Sequence, residues 1–587
     1  MIGLHPGFIL IIGAILVATV PDRKFRQLTM VGIPALAALA AFLLPMDINY
    51  TLPFVLGNEL QYLKVDKLSW IFAFVFSIMA LLANIYALHN GSAGEVVAGM
   101  VYPASALGVV LAGDWLTFIV FWELMAISSV FLIWFRKTKR SLRAGFRYIL
   151  VHLLGGQLLL AGVFVKALQG DFNVATLVGT QDAAFWLVFL GVAVSAAIPP
   201  LHSWVADAYP EGSITGSVFL SAFTTKAAVY ALLRIFPGYS MLITLGVIMA
   251  LYGIVYAILE NDIRKLLSYH IVSQLGFMVV GVGIGTQMSM DAAVAHAFNN
   301  VIYKPLLFMG AGAVIYATGY RKLTDLGGIG HRMPWTTFFF IVGALAISGV
   351  PLFNGYLSKP MIATAAERAN MSLVVLLIQW AGMGTFISIS MKLTYFTFFG
   401  PKRDDLPLRE VPMNMKVAMG AAAFLCFMYG VAPKLLYANL PYASVCYSWT
   451  FANVVKHIQL FTAITAAFWI LFPVIEPEEK VSLDVDWFYR KPLAAAVVIL
   501  SKVAVRVRND IRNQMRRAIS YMLPYFRNPF LLVSRNTPVL NEMGPIKFYD
   551  ENRYRFPIGV TALVSVLVFV LVASYVLYTN QGDGLFG

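Results

Sequence analysis

The chain alternates between long apolar segments and short polar loops, a pattern that predicts membrane-spanning helices. About 17–25 consecutive apolar residues, rising about 1.5 Å each in a helix, cross the hydrocarbon core of a bilayer. About sixteen segments between Pro6 and Leu577 meet this criterion. The pattern therefore predicts an all-α polytopic membrane protein.

Two of the predicted spans are interrupted by proline. The span Phe185 to Trp204 contains Pro199 and Pro200, and the span Thr336 to Ala366 contains Pro351. Proline lacks a backbone N–H and clashes with the preceding turn, so a helix stops or opens there. Broken helices persist in membranes where the freed backbone groups face protein or a water-filled cavity, and ion sites are found at such breaks. Because each break carries Pro-Leu, the pattern also predicts two related halves.

The composition agrees with a membrane protein and excludes a soluble one. The chain has 587 residues, of which 59% are hydrophobic and 12% are charged, with a mean hydropathy of +0.76. Soluble domains carry about 25% charged residues. Cys426 and Cys446 form no motif that binds metal, and the first lies in an apolar span, which argues against a bridge between them. We expect neither a cofactor nor a metal.

The net charge of +14 reports membrane topology. Basic residues concentrate in the loops after alternate spans, which predicts that these loops face the cytoplasm and that both termini lie outside. This distribution argues against a nucleic-acid partner. The basic loops are Arg23–Arg26, Arg136–Arg143, Arg264–Lys265, Arg321–Arg332 and Lys402–Arg409.

A long polar segment, residues 476–555, precedes the last span. Within it, Pro492 to Arg527 alternates apolar residues with Lys502, Arg506, Arg508, Arg512, Arg516 and Arg517. This pattern is typical of an amphipathic helix that lies in the membrane interface or on a partner subunit. The alternative is a cytoplasmic hairpin held together by its own charges.

Several ionisable side chains fall inside predicted spans. Each such charge costs about 2.5–3.5 kcal/mol on insertion scales, so it is seldom present without a partner or a task. A low-dielectric environment disfavours the charged form of any ionisable group, so a row of buried groups can exchange protons near neutral pH. These side chains are Glu123, Lys226, His296, Lys304, Lys359 and Lys392.

Structural roles remain open for some of these residues. Glu123 could be a carboxylate that holds helices together through hydrogen bonds. Lys392 lies lower on its span, so its side chain could extend to the headgroups instead. His152 and His202 are auxiliary candidates that also fit ordinary hydrogen-bonded interior histidines. Neither has a second ligand at helical spacing, so a metal site is not supported.

Several motifs together resemble one transporter family. They are FWELMAISS with Glu123, PLHSW with His202, FTTKAAVYALLR with Lys226, ENDIRKLLSYHIVSQLGFM, HAFNNVIYKPLLFM and SGVPLFNGYLSK. In order and spacing they resemble the antiporter-like family, which comprises Mrp-type cation/proton antiporter subunits and the related membrane subunits of respiratory complex I and membrane-bound hydrogenases. The resemblance covers about Gly113 to Gly400 and is closest to the D-type branch of the Mrp subunits.

The resemblance implies a fourteen-helix core with two inverted five-helix repeats, broken helices 7 and 12, and a central proton-exchanging axis. It assigns the axis to Glu123, Lys226, His296 with Lys304, and Lys359. Three positions depart from the family pattern. Ser195 stands where the family carries the lysine of the broken seventh helix, Asn300 replaces a second histidine, and Ala206 replaces a proline. Glu123 therefore lacks the family's usual ion-pair partner.

These expectations give a domain plan. N-terminal helices 1–4 occupy 1–112, and the first and second repeats occupy 96–236 and 240–400. Helices 14–15 occupy 413–475, the amphipathic segment 476–555, and a last transmembrane helix with its tail 556–587.

The sequence favours a proton or cation/proton translocating subunit of a multi-subunit antiporter or redox-driven complex in the cell inner (plasma) membrane. The expected partners are other membrane subunits and the bilayer, and the expected ions are H⁺ and possibly Na⁺. The chain is not expected to be an enzyme by itself. A transport-silent scaffold subunit is the alternative, supported by Ser195. An unrelated solute transporter is poorly supported, because no long acidic or aromatic solute site is evident.

Overall fold

Helices form nearly all the secondary structure, as the hydropathy pattern predicts. The computed structural model describes residues 4–20, 22–53, 59–179, 181–401, 403, 406–444, 449–479, 484–527 and 558–582. The chain divides into two units, Met1–Arg490 and Lys491–Gly587.

The first part of the larger unit contains the helices that lead to the first break. They are α1 (Pro6–Thr19), α2 (Arg23–Phe42), α3 (Lys67–Tyr86), α4 (Ala93–Leu111), α5 (Trp115–Trp134), α6 (Lys139–Leu168), α7 (Ala183–Ser195), α8 (Trp204–Ala208), α9 (Gly216–Ala222) and α10 (Thr224–Ile235).

The second part repeats the arrangement of long helices around one break. Its helices are α11 (Met241–Leu259), α12 (Ile263–Ile284), α13 (Gln287–Thr318), α14 (Pro334–Ser348), α15 (Gly355–Arg368), α16 (Ser372–Thr385), α17 (Met413–Val431), α18 (Lys434–Tyr437), α19 (Phe451–Ile470), α20 (Phe472–Ile475) and α21 (Asp486–Phe488). The helix begun by α16 continues with π-helical geometry over Phe386–Leu393 and Tyr395–Phe399.

Eleven helices among the described residues are long and apolar enough to span a bilayer. Four shorter apolar helical stretches accompany them, among them α7 and α14, which stop at the helix breaks. The all-α polytopic fold is confirmed. The sixteen spans, the fourteen-helix core, the inverted repeats and the domain boundaries stay predictions.

Helices α12 and α13 form the centre of the larger unit. Almost every residue of both is buried, and α13 packs against α3, α9, α12, α14, α15 and α17. Buried helices with polar residues must satisfy or exploit those residues internally, because no water reaches them. The polar side chains of these two helices are therefore the core of the candidate site.

A β-hairpin, absent from the all-α prediction, follows α2. Strands β1 (Ile48–Pro53) and β2 (Glu59–Val65) pair antiparallel, with Ile48 opposite Val65. The hairpin lies over the α4–α5 connection, where the Gly113 N–H donates to the Gln61 carbonyl at 2.8 Å. The strands are too short and polar to register in a search for spans, so the segment reads as a loop.

The residues predicted as basic loops belong in several cases to the first turns of helices. Arg23, Lys139 and Arg264 lie in α2, α6 and α12. These helices begin earlier than hydropathy indicates because Asp22, Thr138 and Asp262 cap their first N–H groups.

Two of the predicted basic loops nevertheless converge on one buried carboxylate. Arg136, Arg140 and Arg321 contact the carboxylate of Glu211 at 3.0, 2.7 and 3.2 Å. The loops after the fifth and eleventh predicted spans therefore lie on the same side of the larger unit. We call this side the basic face.

Helix α19 also begins earlier than predicted, at Phe451 instead of Leu460. Thr450 caps it, and its first turns carry Asn453, Lys456 and His457, which lower the local hydropathy. A pattern-based search therefore misses this end of the helix.

The smaller unit contains a 34-residue helix, α22 (Ala494–Arg527), and α23 (Ile558–Gly582). Helix α22 agrees with the amphipathic helix expected between Pro492 and Arg527. Cys446, Lys402, and the remainder of the polar segment and C-terminal tail lie outside the described residues.

Candidate functional site

The first broken helix is confirmed where the double proline predicts it. Helix α7 ends at Ser195 and α8 begins at Trp204. A broken helix leaves carbonyls without intrahelical donors. The indole N–H of Trp204 donates to the Val194 carbonyl at 2.9 Å, so the second fragment caps the first.

Glu123 lies against the backbone of α6. Its Oε1 is buried and has no hydrogen-bond partner among the described residues. A Cβ added at Gly156 would overlap Oε1 and stand 2.7 Å from Cδ, so only glycine leaves room for this carboxylate. The hydrogen bonds that a purely structural carboxylate would need are therefore not made by Oε1 within the described chain.

His152 lies one turn before Gly156, on the same face of α6. Its ring stacks on Tyr148 at 4.1 Å and meets Trp204 edge-on at 4.4 Å. Nδ1 lies 3.1 Å from the Tyr148 carbonyl, whereas Nε2 has no partner in the ranges that the structure describes. His152 thus stands between the α6 backbone that Glu123 touches and the helix break.

Ser195, where the resemblance implies a missing lysine, is buried at the end of α7. The preceding residue, Val194, packs on Gly155: an added Cβ there would lie 3.0 Å from the Val194 Cβ. The glycine pair Gly155–Gly156 is therefore contacted by the end of α7 and by Glu123.

Lys226 follows a distortion that the sequence analysis missed. The span predicted as continuous from Ser213 to Phe236 is divided at Phe223 into α9 and α10. No proline marks the position. The Lys226 Nζ donates to the Ser221 carbonyl at 2.7 Å, so the ammonium caps the C-terminal end of α9, where the helix dipole favours a cation.

Lys304 is the most enclosed of the candidate bases. It is completely buried in α13, and its Nζ has no hydrogen-bond partner in the described part of the chain. It lies within electrostatic range of Lys226 and Lys359. A charge that moves onto any one of these three lysines therefore acts on the other two through low-dielectric surroundings.

His296 and Asn300 connect α13 to its neighbours in different ways. The His296 Nδ1 lies 2.9 Å from the Ser358 hydroxyl, beside Lys359 on α15. The Asn300 amide donates to the Tyr303 hydroxyl at 3.2 Å. His296 thus faces the second break, while Asn300 joins a polar chain within the core.

Lys359 stands just after the second break, between α14 and α15. The break needs Gly355, because a Cβ there would overlap the Ala346 carbonyl oxygen. The Lys359 Nζ lies 5.3 Å from the centre of the Phe277 ring, an ammonium–aromatic contact. A cavity of about 460 Å³ connects Lys359 with His457 and the exposed Glu367. Lys359 therefore has a route towards the surface.

Lys392 does not extend to the headgroups, which was the alternative interpretation. The side chain is buried, 2% exposed, and its Nζ donates to the Ile258 carbonyl at 2.5 Å. The π-helical geometry of this segment turns Lys392 inwards, towards the end of α11. Glu260 lies within electrostatic range of it.

His270 is a core residue that the sequence analysis did not single out. It is completely buried in α12, its Nε2 lies 2.8 Å from the Ser388 hydroxyl, and it is in electrostatic range of Lys304 and Lys359. The only signal was its place in the motif SYHIVSQLGF. Ser388 lies one turn before Lys392, so His270 stands between the central lysines and Lys392.

Two groups of candidate residues emerge. The first, at the α7–α8 break, contains Glu123, His152 and Ser195. The second, around α12 and α13, is joined by electrostatic or hydrogen-bond contacts and contains Lys226, His270, His296, Lys304, Lys359 and Lys392. His202 lies apart from both, with its ring 4.3 Å from that of Tyr252 on α11.

The described residues contain no group of three or more His, Cys, Asp and Glu side chains that could hold a metal ion. Cys426 is buried and free.

Comparisons with known proteins match the motifs that the structure places in this core. A family model described as NADH:quinone oxidoreductase/Mrp antiporter, TM matches residues 112–387. The uncharacterized protein MJ1309 of Methanocaldococcus jannaschii is 33% identical over 355 residues, which cover 57% of this chain and 73% of that protein. One protein of the Na(+)/H(+) antiporter of Alkalihalophilus pseudofirmus is 29% identical over 365 residues, covering 57% of this chain and 74% of that protein.

A solved structure extends the likeness in fold over nearly the whole chain. A chain of the membrane-bound sulfane sulfur reductase, an archaeal respiratory membrane complex, matches with a TM-score of 0.69 and 23% identity, covering 97% of this chain and 100% of that one. Sequence and fold lead to one assignment: the chain belongs to the NADH:quinone oxidoreductase/Mrp antiporter transmembrane family.

Proposed function

We propose that this chain is a proton-translocating subunit of a multi-subunit complex in the cell inner membrane, with both termini outside. The observation that carries the proposal is the set of buried bases around α12 and α13. Lys304 in particular is completely enclosed, and no carboxylate is paired with it among the described residues. Such a charge is costly to keep unless it takes part in ion movement.

The buried bases relay protons by mutual electrostatic influence. A proton that arrives at Lys226 raises the energy of a proton on Lys304, which in turn acts on Lys359. The proton released from Lys359 leaves through the 460 Å³ cavity, past His457 and Glu367. Helix α15 runs from the break to Arg368, away from the basic face, so this outlet lies on the opposite side of the membrane.

The first group supplies a route through the first half. Glu123 and His152 stand on either side of one turn of α6, and each has one polar atom without a hydrogen-bond partner in the described chain. His152 takes the place of the base that Ser195 does not supply. Na⁺ exchange, named for antiporter relatives, would depend on partner subunits that are themselves membrane proteins.

Ser195 supports a second candidate function, a transport-silent scaffold. A first half without its base would hold partner subunits without moving protons. Four other costly buried charges stand against this alternative, because a scaffold gains nothing from them.

Proton uptake into vesicles that contain the purified complex tests the proposal. We expect Lys304→Ala and Lys359→Ala to reduce uptake at least about tenfold, as loss of a proton-transfer group does in enzymes. Lys166→Ala is the matched control, since that lysine pairs with Asp171 at 2.9 Å at the end of α6. Unchanged uptake in both relay variants, with an intact complex, would refute the relay and favour the scaffold.

A further inference from the structure

The stretch that follows α20 returns to the basic face. The Lys322 Nζ donates to Glu479 at 2.8 Å, and Arg490 pairs with Asp207, which α8 carries next to Arg147. The hydrogen bond from Lys322 and its charge lower the pKa of the exposed Glu479 carboxyl, so this pair is ionised at neutral pH. Ion pairs thus hold both ends of the stretch to the larger unit.

Asp484 is the buried carboxylate of this stretch, with 8% of its surface exposed. The hydroxyl of Tyr269, on α12, donates to its Oδ2 at 2.6 Å, and the hydroxyl of Tyr252, on α11, donates to its Oδ1. Buried carboxylates are costly unless hydrogen-bonded. The second half of the chain therefore supplies two donors to a residue outside the matched family region.

His202 faces the same carboxylate from the first half. Its side chain is buried, 1% exposed, and its Nε2 lies 3.9 Å from the Asp484 Oδ1. Neither ring nitrogen has a hydrogen-bond partner within the described residues. The separation exceeds a direct hydrogen bond of about 3.2 Å, so transfer between the two atoms needs a small movement of either side chain.

We propose that Asp484 and His202 form a proton-exchanging pair that links the two halves at the basic face. A proton on the Asp484 carboxyl passes to the His202 Nε2, which leaves a carboxylate facing an imidazolium, and the reverse step restores the neutral pair. The inference rests on the proposed function, since it adds a station to the same relay. It assigns a chemical role to a residue outside the antiporter core.

Other titratable groups surround the pair and limit how it can behave. Lys265 lies over the Tyr269 ring, 5.7 Å from its centre, and pairs with Glu260 at 2.7 Å. Tyr256 stacks between Tyr252 and Tyr269, 4.4 and 5.2 Å from their rings. The lysine and glutamate compensate each other, so the charge that can change beside His202 is that of Asp484.

Three variants test the pair in reconstituted complex. We expect Asp484→Asn to lower proton uptake about tenfold or more and to alter its pH profile. Glu479→Gln, which removes only an exposed ion pair of the same stretch, should change uptake less than about twofold. His202→Gln should match Asp484→Asn, and the double variant should be no worse than either single one, because both act through one transfer. Equal uptake in Asp484→Asn and Glu479→Gln would overturn the inference.

A spectroscopic measurement separates this inference from the proposed function. The infrared band of the protonated Asp484 carboxyl, assigned by its loss in Asp484→Asn, should change its pH midpoint in His202→Gln. Asp484→Glu keeps the carboxyl and serves if the asparagine variant does not assemble. A midpoint unaffected by His202→Gln would overturn the pair even in a complex that moves no protons, whereas absent uptake with a shifted midpoint would count against the proposed function alone.

Discussion

A single methyl group at Gly156 should disable the first half of the relay. The added Cβ would overlap the Glu123 Oε1 and lie 2.7 Å from Cδ. Non-bonded carbon atoms prefer about 3.5–4.0 Å, so the carboxylate must move by about 1–2 Å. Misplacement of a reacting group by about 1 Å can reduce a rate about 10²-fold. We therefore expect Gly156→Ala to reduce proton uptake to a level near that of Glu123→Gln.

The chain offers a matched control for this substitution. Gly32 also lies within a helix, α2, and a Cβ added there meets no atom within 4 Å. Both changes replace helical glycine by alanine, which favours the helix by about 1 kcal/mol. A pH-sensitive dye inside vesicles would report uptake by the two variants at equal amounts of complex. If Gly156→Ala equals Gly32→Ala in uptake, the position of the Glu123 carboxylate does not matter and the reasoning is refuted.

Three further predictions concern the helix ends at the site. Ser195→Lys should form an ion pair with Glu123 and raise the melting temperature of the complex; an equal rise in a Glu123→Gln background would show that the two positions do not face each other. Lys392→Met removes a charged hydrogen bond to the last turn of α11, worth about 1.5–3 kcal/mol, and should lower the denaturant midpoint, whereas an unchanged midpoint would mean that Lys392 is not a cap. Trp204→Phe removes the bond that joins α8 to α7 and should slow proton uptake without preventing assembly, so full activity would exclude a role for this contact.

The first helix break could be predicted from the sequence because its cause is local. Pro199 and Pro200 lack donors, and no surrounding structure can supply them. The buried charges were equally legible, since Glu123 and Lys304 stand in apolar stretches of sequence.

Other parts of the site depend on long-range contacts that no pattern encodes. The distortion at Phe223 contains neither glycine nor proline, and the inward direction of Lys392 depends on π-helical geometry. Asp484 stands in a polar stretch that reads as solvent-exposed, yet tyrosines from α11 and α12 bury it. Its neighbours are far away in sequence, so its position could be learned only from the fold.

The π-helical segment Phe386–Leu393 has a consequence for insertions and deletions. A π-turn holds one residue more than an α-turn. Removal of one residue there would let the segment relax to α-helix, with the two ends of the long helix kept near their present orientations. The same deletion in the middle of α13 would rotate one end by about 100° and misdirect His296 against Lys304. The long helix begun by α16 should thus tolerate a loss of length that its buried neighbour cannot.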